Sequence, residues 1–251
     1  MKIIFLNLVL GLFLSNSLFA SDPGQDKNIL FSTAQTAKQG DFIINDYEVV
    51  FPGISYGLSD HIQLSVNSLL PITNEMPLVL MSSVKFKLVD ADRFAVSLQP
   101  NFWYIRATHT TYDFSPGTFA PTTKKTSSGY TLIGTQLLLD YSLADSQDLV
   151  LHGTLSVQFP EGASQLLIAG GGLSARVSSG VKLLSEVLLP LTNNREVQML
   201  LNYGIRFFGE KVAVDLSFLK PLGGIDQVKG GYSVSNSFAL GFPWISFSAK
   251  I

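Results

Sequence analysis

Apolar and polar positions alternate with period two along most of this chain. Ile62, Leu64, Val66 and Leu70 alternate with His61, Gln63, Ser65 and Asn67, and Leu78, Leu80, Val84, Phe86 and Leu88 with Ser83, Lys85 and Lys87. Between Arg93 and Ile105, Phe94, Val96, Leu98, Phe102 and Tyr104 take one face while Arg93, Ser97, Gln99 and Asn101 take the other. The pattern recurs from Ile133 to Tyr141, Leu149 to Phe159, Val197 to Phe207, Val212 to Phe218 and Ile245 to Ile251. Such alternation predicts strands with one apolar and one polar face. Many of the runs are long: the one from Arg93 to Ile105 is more than twice the usual strand of about 5–6 residues.

The connections alternate in length. Tight ones fall at Ser59-Asp60, Asp90-Ala91-Asp92, Ala144 to Gln147, Ser178 to Gly180 and Gly209-Glu210. Longer ones fall at Pro71 to Pro77, Ala107 to Gly129, Pro160 to Ser164, Thr192 to Arg195 and Pro221 to Ser237. Short turns at one end and long loops at the other describe a transmembrane up-and-down barrel. A tilted strand needs roughly 9–11 residues to cross the hydrocarbon, and lipid offers backbone groups no water, so a spanning sheet must close. Ten runs follow Ser59, another lies around Val49 to Leu58, and a partner is expected between Asn28 and Tyr47. The fold class is therefore all-β, an antiparallel up-and-down barrel of about twelve strands, with ten and fourteen left open. The competing fold, a secreted β-sandwich, has shorter strands and a more charged exterior.

Composition sharpens this. Of 251 residues, 46% are apolar and 14% charged, against about 25% charged in an ordinary soluble domain, and the mean hydropathy is +0.30. No helix accounts for it after residue 20. Residues 1–20 read as a signal peptide: Lys2 as the positive region, Ile3 to Leu14 as the apolar core, and cleavage after Ala20. Residues 21–251 form the barrel domain. The absence of cysteine removes disulfides, thiolate nucleophiles and Cys-ligated zinc. A net charge of -2 gives no call for nucleic acid.

The chain resembles the bacterial outer-membrane β-barrel proteins, most particularly in KQGDFIINDYEVVFPGISYGLSDHIQLSVN, Lys38 to Asn67. This segment is similar to the opening of a porin-like group in which a Gly-acid-aromatic start leads to a Tyr-Gly-Leu-Ser/Thr-Asp turn. The resemblance implies an outer-membrane location. The chain departs from the class at its end, WISFSAKI, which closes on Ile251 rather than on Phe.

With apolar faces to lipid, the polar faces line the lumen. Lys85, Lys87, Arg93, Arg176, Lys182 and Arg206 are candidates for a basic ring favouring anions, partly neutralised by Asp140, Glu186 and Asp215. The expected function is a pore for passive diffusion of small hydrophilic solutes. The alternative is a structural or surface-interaction barrel whose lumen is filled by side chains such as Gln99, Asn101, Gln136, Gln158, Gln198 and Asn202. The loop from Arg106 to Gly129 either folds inward as a constriction or stands outside. A barrel-embedded hydrolase is the third and least expected reading, and enzymatic chemistry is not expected. His152 and Ser156 share a face but lie about 13 Å apart at roughly 3.3 Å per residue, beyond hydrogen-bond reach. His61 faces the polar side, His109 sits in the long loop, and no local pattern brings a serine from a neighbouring strand. Nothing in the sequence brings Glu161 to Glu186 or Asp140 to Asp215. No metal-ligand spacing or nucleotide motif implies a cofactor. Gly170-Gly171-Gly172 lies within a strand, where it permits bending or close packing. The expected partners are the bilayer and the solutes, and no oligomer interface is legible.

Overall fold

Each alternating run pairs with the next, and the last pairs with the first. The computed structural model describes residues 22–47, 51–69, 71, 76–113, 122–143, 148–191, 199–222 and 240–251, with backbone alone for 47, 109–113 and 122–125. The expected signal peptide, 1–20, lies outside them. The strands are β1 (Phe42–Tyr47), β2 (Phe51–Ser59), β3 (Ile62–Leu69), β4 (Leu78–Asp90), β5 (Phe94–Asp113), β6 (Thr122–Ser142), β7 (Leu149–Pro160), β8 (Leu166–Ser178), β9 (Val181–Pro190), β10 (Met199–Phe208), β11 (Val212–Leu222) and β12 (Phe242–Lys250). Neighbours in sequence are neighbours in the sheet, all antiparallel. The ring closes through β1 and β12, with Ile43 opposite Lys250 and Tyr47 opposite Ser246. Closure leaves no unpaired edge, as a lipid-embedded sheet requires.

Side chains sort by parity. Leu64 and Val66 of β3, Leu98 and Phe102 of β5, Leu151 and Leu155 of β7, and Ile245 and Phe247 of β12 are exposed on the outer wall. Their alternates Gln63, Ser97, Gln99, Asn101, Ser156, Gln158, Ser246 and Ser248 are buried inside. The barrel is apolar outside and polar within, the inverse of a soluble protein.

One expectation needs correction. The stretch from Arg106 to Gly129 is largely strand: β5 and β6 stay in register from Ala107 opposite Ser128 to Asp113 opposite Thr122. Pairing of β4 with β5 reaches only Leu78–Arg106, and that of β6 with β7 only Leu132–Pro160. Beyond those pairs the two strands pair only with each other, as a two-stranded ribbon. Its threonines favour extended backbone. At the N-terminus the expected partner strand, between Asn28 and Tyr47, is β1; residues 22–41 enter no strand of the barrel, and residues 22–37 lie in the lumen.

Candidate functional site

Residues 22–38 fold as a compact strap inside the barrel. Asp22 Oδ1 accepts from Gly24 N–H at 2.9 Å, forming a tight turn. A miniature hairpin follows, in which Asn28 N–H donates to Phe31 O at 2.8 Å and Thr33 N–H to Asp26 O at 3.0 Å. Irregular backbone exposes donors and acceptors that must be satisfied when buried, and the barrel wall satisfies them with side chains.

Glu186 on β9 receives the hairpin tip. Its carboxylate accepts from the N–H groups of Ile29, Leu30 and Phe31 at 3.2, 2.7 and 3.4 Å, and from Asn202 Nδ2 at 2.7 Å. Arg206 on β10 holds the preceding turn, donating to Gly24 O at 2.6 Å, Asn28 O at 2.7 Å and Lys27 O at 3.2 Å. The same guanidinium is paired bidentately with Asp215 at 2.6 and 2.9 Å, and lies 3.2 Å from Asp22. Across the lumen, Lys85 Nζ donates to Asp26 O and Gln35 O, both at 2.9 Å. Gln63 Oε1 accepts from Ala37 N–H at 2.7 Å, Ser97 Oγ donates to Ala34 O at 2.6 Å, and Asp140 Oδ2 accepts from Ala34 N–H at 3.1 Å. Arg206 and Glu186 are each only 1% exposed. Such charges are tolerated in burial because every one is paired or hydrogen-bonded.

The strap's own charges feel this wall. Burial opposes ionisation of Asp22, but Arg206 and Lys182, the latter 2.7 Å away, hold its carboxyl well below the usual carboxylate range. Burial lowers Lys27 to about 8, against the opposing pull of Asp215.

Above the strap, toward the long loops, lies a cavity of about 510 Å³. Leu30 and Phe31 form part of its lining together with Trp103, Trp244, Gln99, Asn101, Gln136 and Gln158. Within it Gln99 Oε1, Asn101 Nδ2 and Gln158 Oε1 have no hydrogen-bond partner among the described residues. Below, toward the short turns, a second cavity of about 190 Å³ is lined by Lys27, His152, Ser174, Arg176 and Lys182. At its wall, His152 Nδ1 lies 2.7 Å from Asp140 Oδ1, and His152 Nε2 lies 2.9 Å from Ser174 Oγ. Among the described residues no group of His, Asp and Glu could hold a metal ion.

The six basic candidates are thus distributed unequally. Lys85, Lys182 and Arg206 contact the strap directly. Lys87 reaches Gln35 Oε1 at 3.4 Å and Asp90 at 3.2 Å. Arg176 is part-exposed beside Asp148, with its guanidinium over the Phe208 ring. Arg93 is exposed at the β4–β5 turn. His61 is exposed in the β2–β3 turn, and the side chain of His109 lies outside the described set. Asp140 and Asp215 do not pair with each other: one holds His152 and the strap, the other Arg206. The triple glycine does pack closely. A Cβ on Gly170 would lie 2.8 Å from the Phe31 ring, and one on Gly172 would lie 2.7 Å from Asn28 Nδ2.

No protein-family model matches the chain, and no curated protein does. Among solved structures it is similar to the translocator domain of autotransporter NalP from Neisseria meningitidis, with TM-score 0.45, 11% identity, 100% of this chain and 93% of that chain. It is also similar to OmpT of Vibrio cholerae (0.39, 14%, 80% of this chain and 63% of that one). A third is LpxR from Salmonella typhimurium (0.41, 10%, 84% and 99%). The likeness is one of fold. What decides the setting is the wall itself: a closed sheet with an apolar exterior and a polar, charged interior is built for lipid. The chain is a closed, membrane-spanning β-barrel.

The expectation of no enzymatic chemistry does not stand. The lumen assembles a carboxylate, an imidazole and a hydroxyl from β6, β7 and β8. Local spacing missed this because the partners are cross-strand: Asp140 stands opposite His152, and Ser174 lies two residues beyond Gly172, the residue opposite His152 on β8.

Proposed function

We propose that the barrel is a passage for small hydrophilic solutes that its own N-terminal strap closes. The supporting observation is residues 22–38 lying in the lumen on Glu186, Arg206, Lys85 and Asp140. Its bonds are polar and side-chain-mediated, without ladder pairing to any strand, so the strap can be released while the wall stays intact. The upper cavity serves as the entrance. Its size falls within the range of about 300–1,000 Å³ of small-molecule sites, and its mixture of amides and aromatics suits solutes that are polar but not strongly charged. Once the strap is gone, Lys85, Lys182 and Arg206 face the passage without their strap partners, and with Lys87 they favour anions.

Planar-bilayer conductance tests the reading. The intact protein is expected to be largely silent, and a variant lacking residues 22–38 to show discrete steps with anion preference. A deletion variant that inserts and folds but conducts no more than the intact chain would rule the passage out. Steps without anion preference would retain the passage and remove the role of the basic residues.

A further inference from the structure

We infer that Ser174 is a nucleophile, activated by His152 and positioned through Asp140, in a small site for acyl transfer on the short-turn side of the strap. This goes beyond the passage and does not depend on it. An ionised carboxylate can only accept hydrogen bonds, so Asp140 Oδ1, 2.7 Å from His152 Nδ1, fixes the proton on that nitrogen. Nε2 is then left as an acceptor 2.9 Å from Ser174 Oγ, the arrangement in which an imidazole takes a hydroxyl proton. Asp140 is itself held on its other side, by Ala34 N–H at 3.1 Å. The docked strap therefore helps fix the carboxylate that orients the base.

The surroundings separate this trio from the docking contacts. Glu186, Arg206, Lys85, Gln63 and Ser97 each hydrogen-bond the strap. Among the described residues, neither His152 nor Ser174 hydrogen-bonds it; both instead line the cavity of about 190 Å³. Lys27, Arg176 and Lys182 line the same cavity. Strand N–H groups are committed to the ladder, so the positive charge at this cavity comes from these cations, with Lys182 paired to Asp22 and Arg176 beside Asp148.

The volume suits a short acyl ester. Ser174 Oγ would bond to the carbonyl carbon as its proton passes to His152 Nε2. The carbon–alkoxide bond then breaks, and His152 returns the proton to the leaving oxygen. Water, deprotonated by His152, next attacks the acyl-serine, releasing the acid and restoring the Ser174 hydroxyl. Asp140 acts as a positioning residue throughout.

The test uses the protein folded in phosphatidylcholine vesicles, with diethyl fluorophosphate as probe and phenyl acetate as substrate. The phosphorus–fluorine bond breaks as Ser174 Oγ bonds phosphorus, and peptide mass mapping reads the adduct. Modification is expected at Ser174 and not at Ser156, an inward serine without an imidazole. Ser174→Ala should abolish hydrolysis, and His152→Gln should slow both reactions by about 100-fold or more. Asp140→Asn can still accept from Ala34 but no longer enforces the tautomer, and should slow labelling comparably while the strap stays protected from trypsin. Absence of label at Ser174, equal labelling at Ser156, or an unchanged rate in His152→Gln overturns the assignment. Should Ser174→Ala not fold, the mapped adduct on the unsubstituted chain decides.

Discussion

Arg206 shows how one side chain ties the wall to the strap. Truncating it leaves Asp215 and Asp22 buried without their shared cation and three strap carbonyls without a donor. Loss of one partner from a buried pair costs about 3–5 kcal/mol, so Arg206→Ala is expected to release the strap, read as faster trypsin cleavage at Lys27 and Lys38. Strap cleavage in the variant no faster than in the unsubstituted protein would contradict this. Titration acts through the strap's own charges. The Asp22 carboxyl is depressed below its ordinary 3.8, so its contribution to docking is complete above about that pH and is lost on further acidification. Lys27 is lowered from 10.5 to about 8, so docking weakens as pH falls from 10.5 toward 8 and is level below that. Openings in a bilayer are therefore expected to increase below roughly pH 4, with Asp22→Asn flattening that limb. Parity alone put Lys85, Lys182, Arg206, Asp140 and Glu186 on the inner face. It was silent about their partners, because a buried charge's partner here lies as much as 184 positions away.

At the scale of elements, the strap was the least legible part of the chain. Its sequence, DPGQDKNILFSTAQTAK, carries no period: Ile29, Leu30 and Phe31 are consecutive, and polar residues flank them without alternation. That irregularity could have warned against a strand, but the shape the segment adopts is dictated by a polar wall that exists only once the barrel has closed. The glycine run was legible as a place of close packing and not as the place where the strap rests. A side chain at Gly170 would meet Phe31 and Thr154 within 2.8 Å, whereas one at Gly171 finds only His152 O at 3.8 Å. Overpacking costs about 1–3 kcal/mol. Gly170→Val is accordingly expected to raise trypsin access to the strap about tenfold, and Gly171→Val to leave it unchanged. Equal behaviour of the two variants would show that the strap does not rest on this part of β8.

For the whole molecule, period two and alternating loop lengths were enough to read a barrel of about twelve strands, because lipid imposes one rule on every strand at once. The same rule gives the last prediction. Outward residues should tolerate charge according to their depth and not their contacts. Leu98 lies five positions into the wall from the short turn at Arg93, whereas Leu88 lies beside the same turn and is more exposed, 60% against 38%. An arginine on the lipid face costs about 2–4 kcal/mol at the midplane and about 0–1 kcal/mol near the interface. Leu98→Arg should therefore lower the urea midpoint of the vesicle-inserted barrel markedly, and Leu88→Arg should barely move it, since its guanidinium can reach the headgroups. In a water-soluble barrel the order would differ: both side chains are exposed, and an arginine at either site would be nearly neutral. A depth-dependent loss thus ties the apolar wall to lipid without reference to what passes through the lumen.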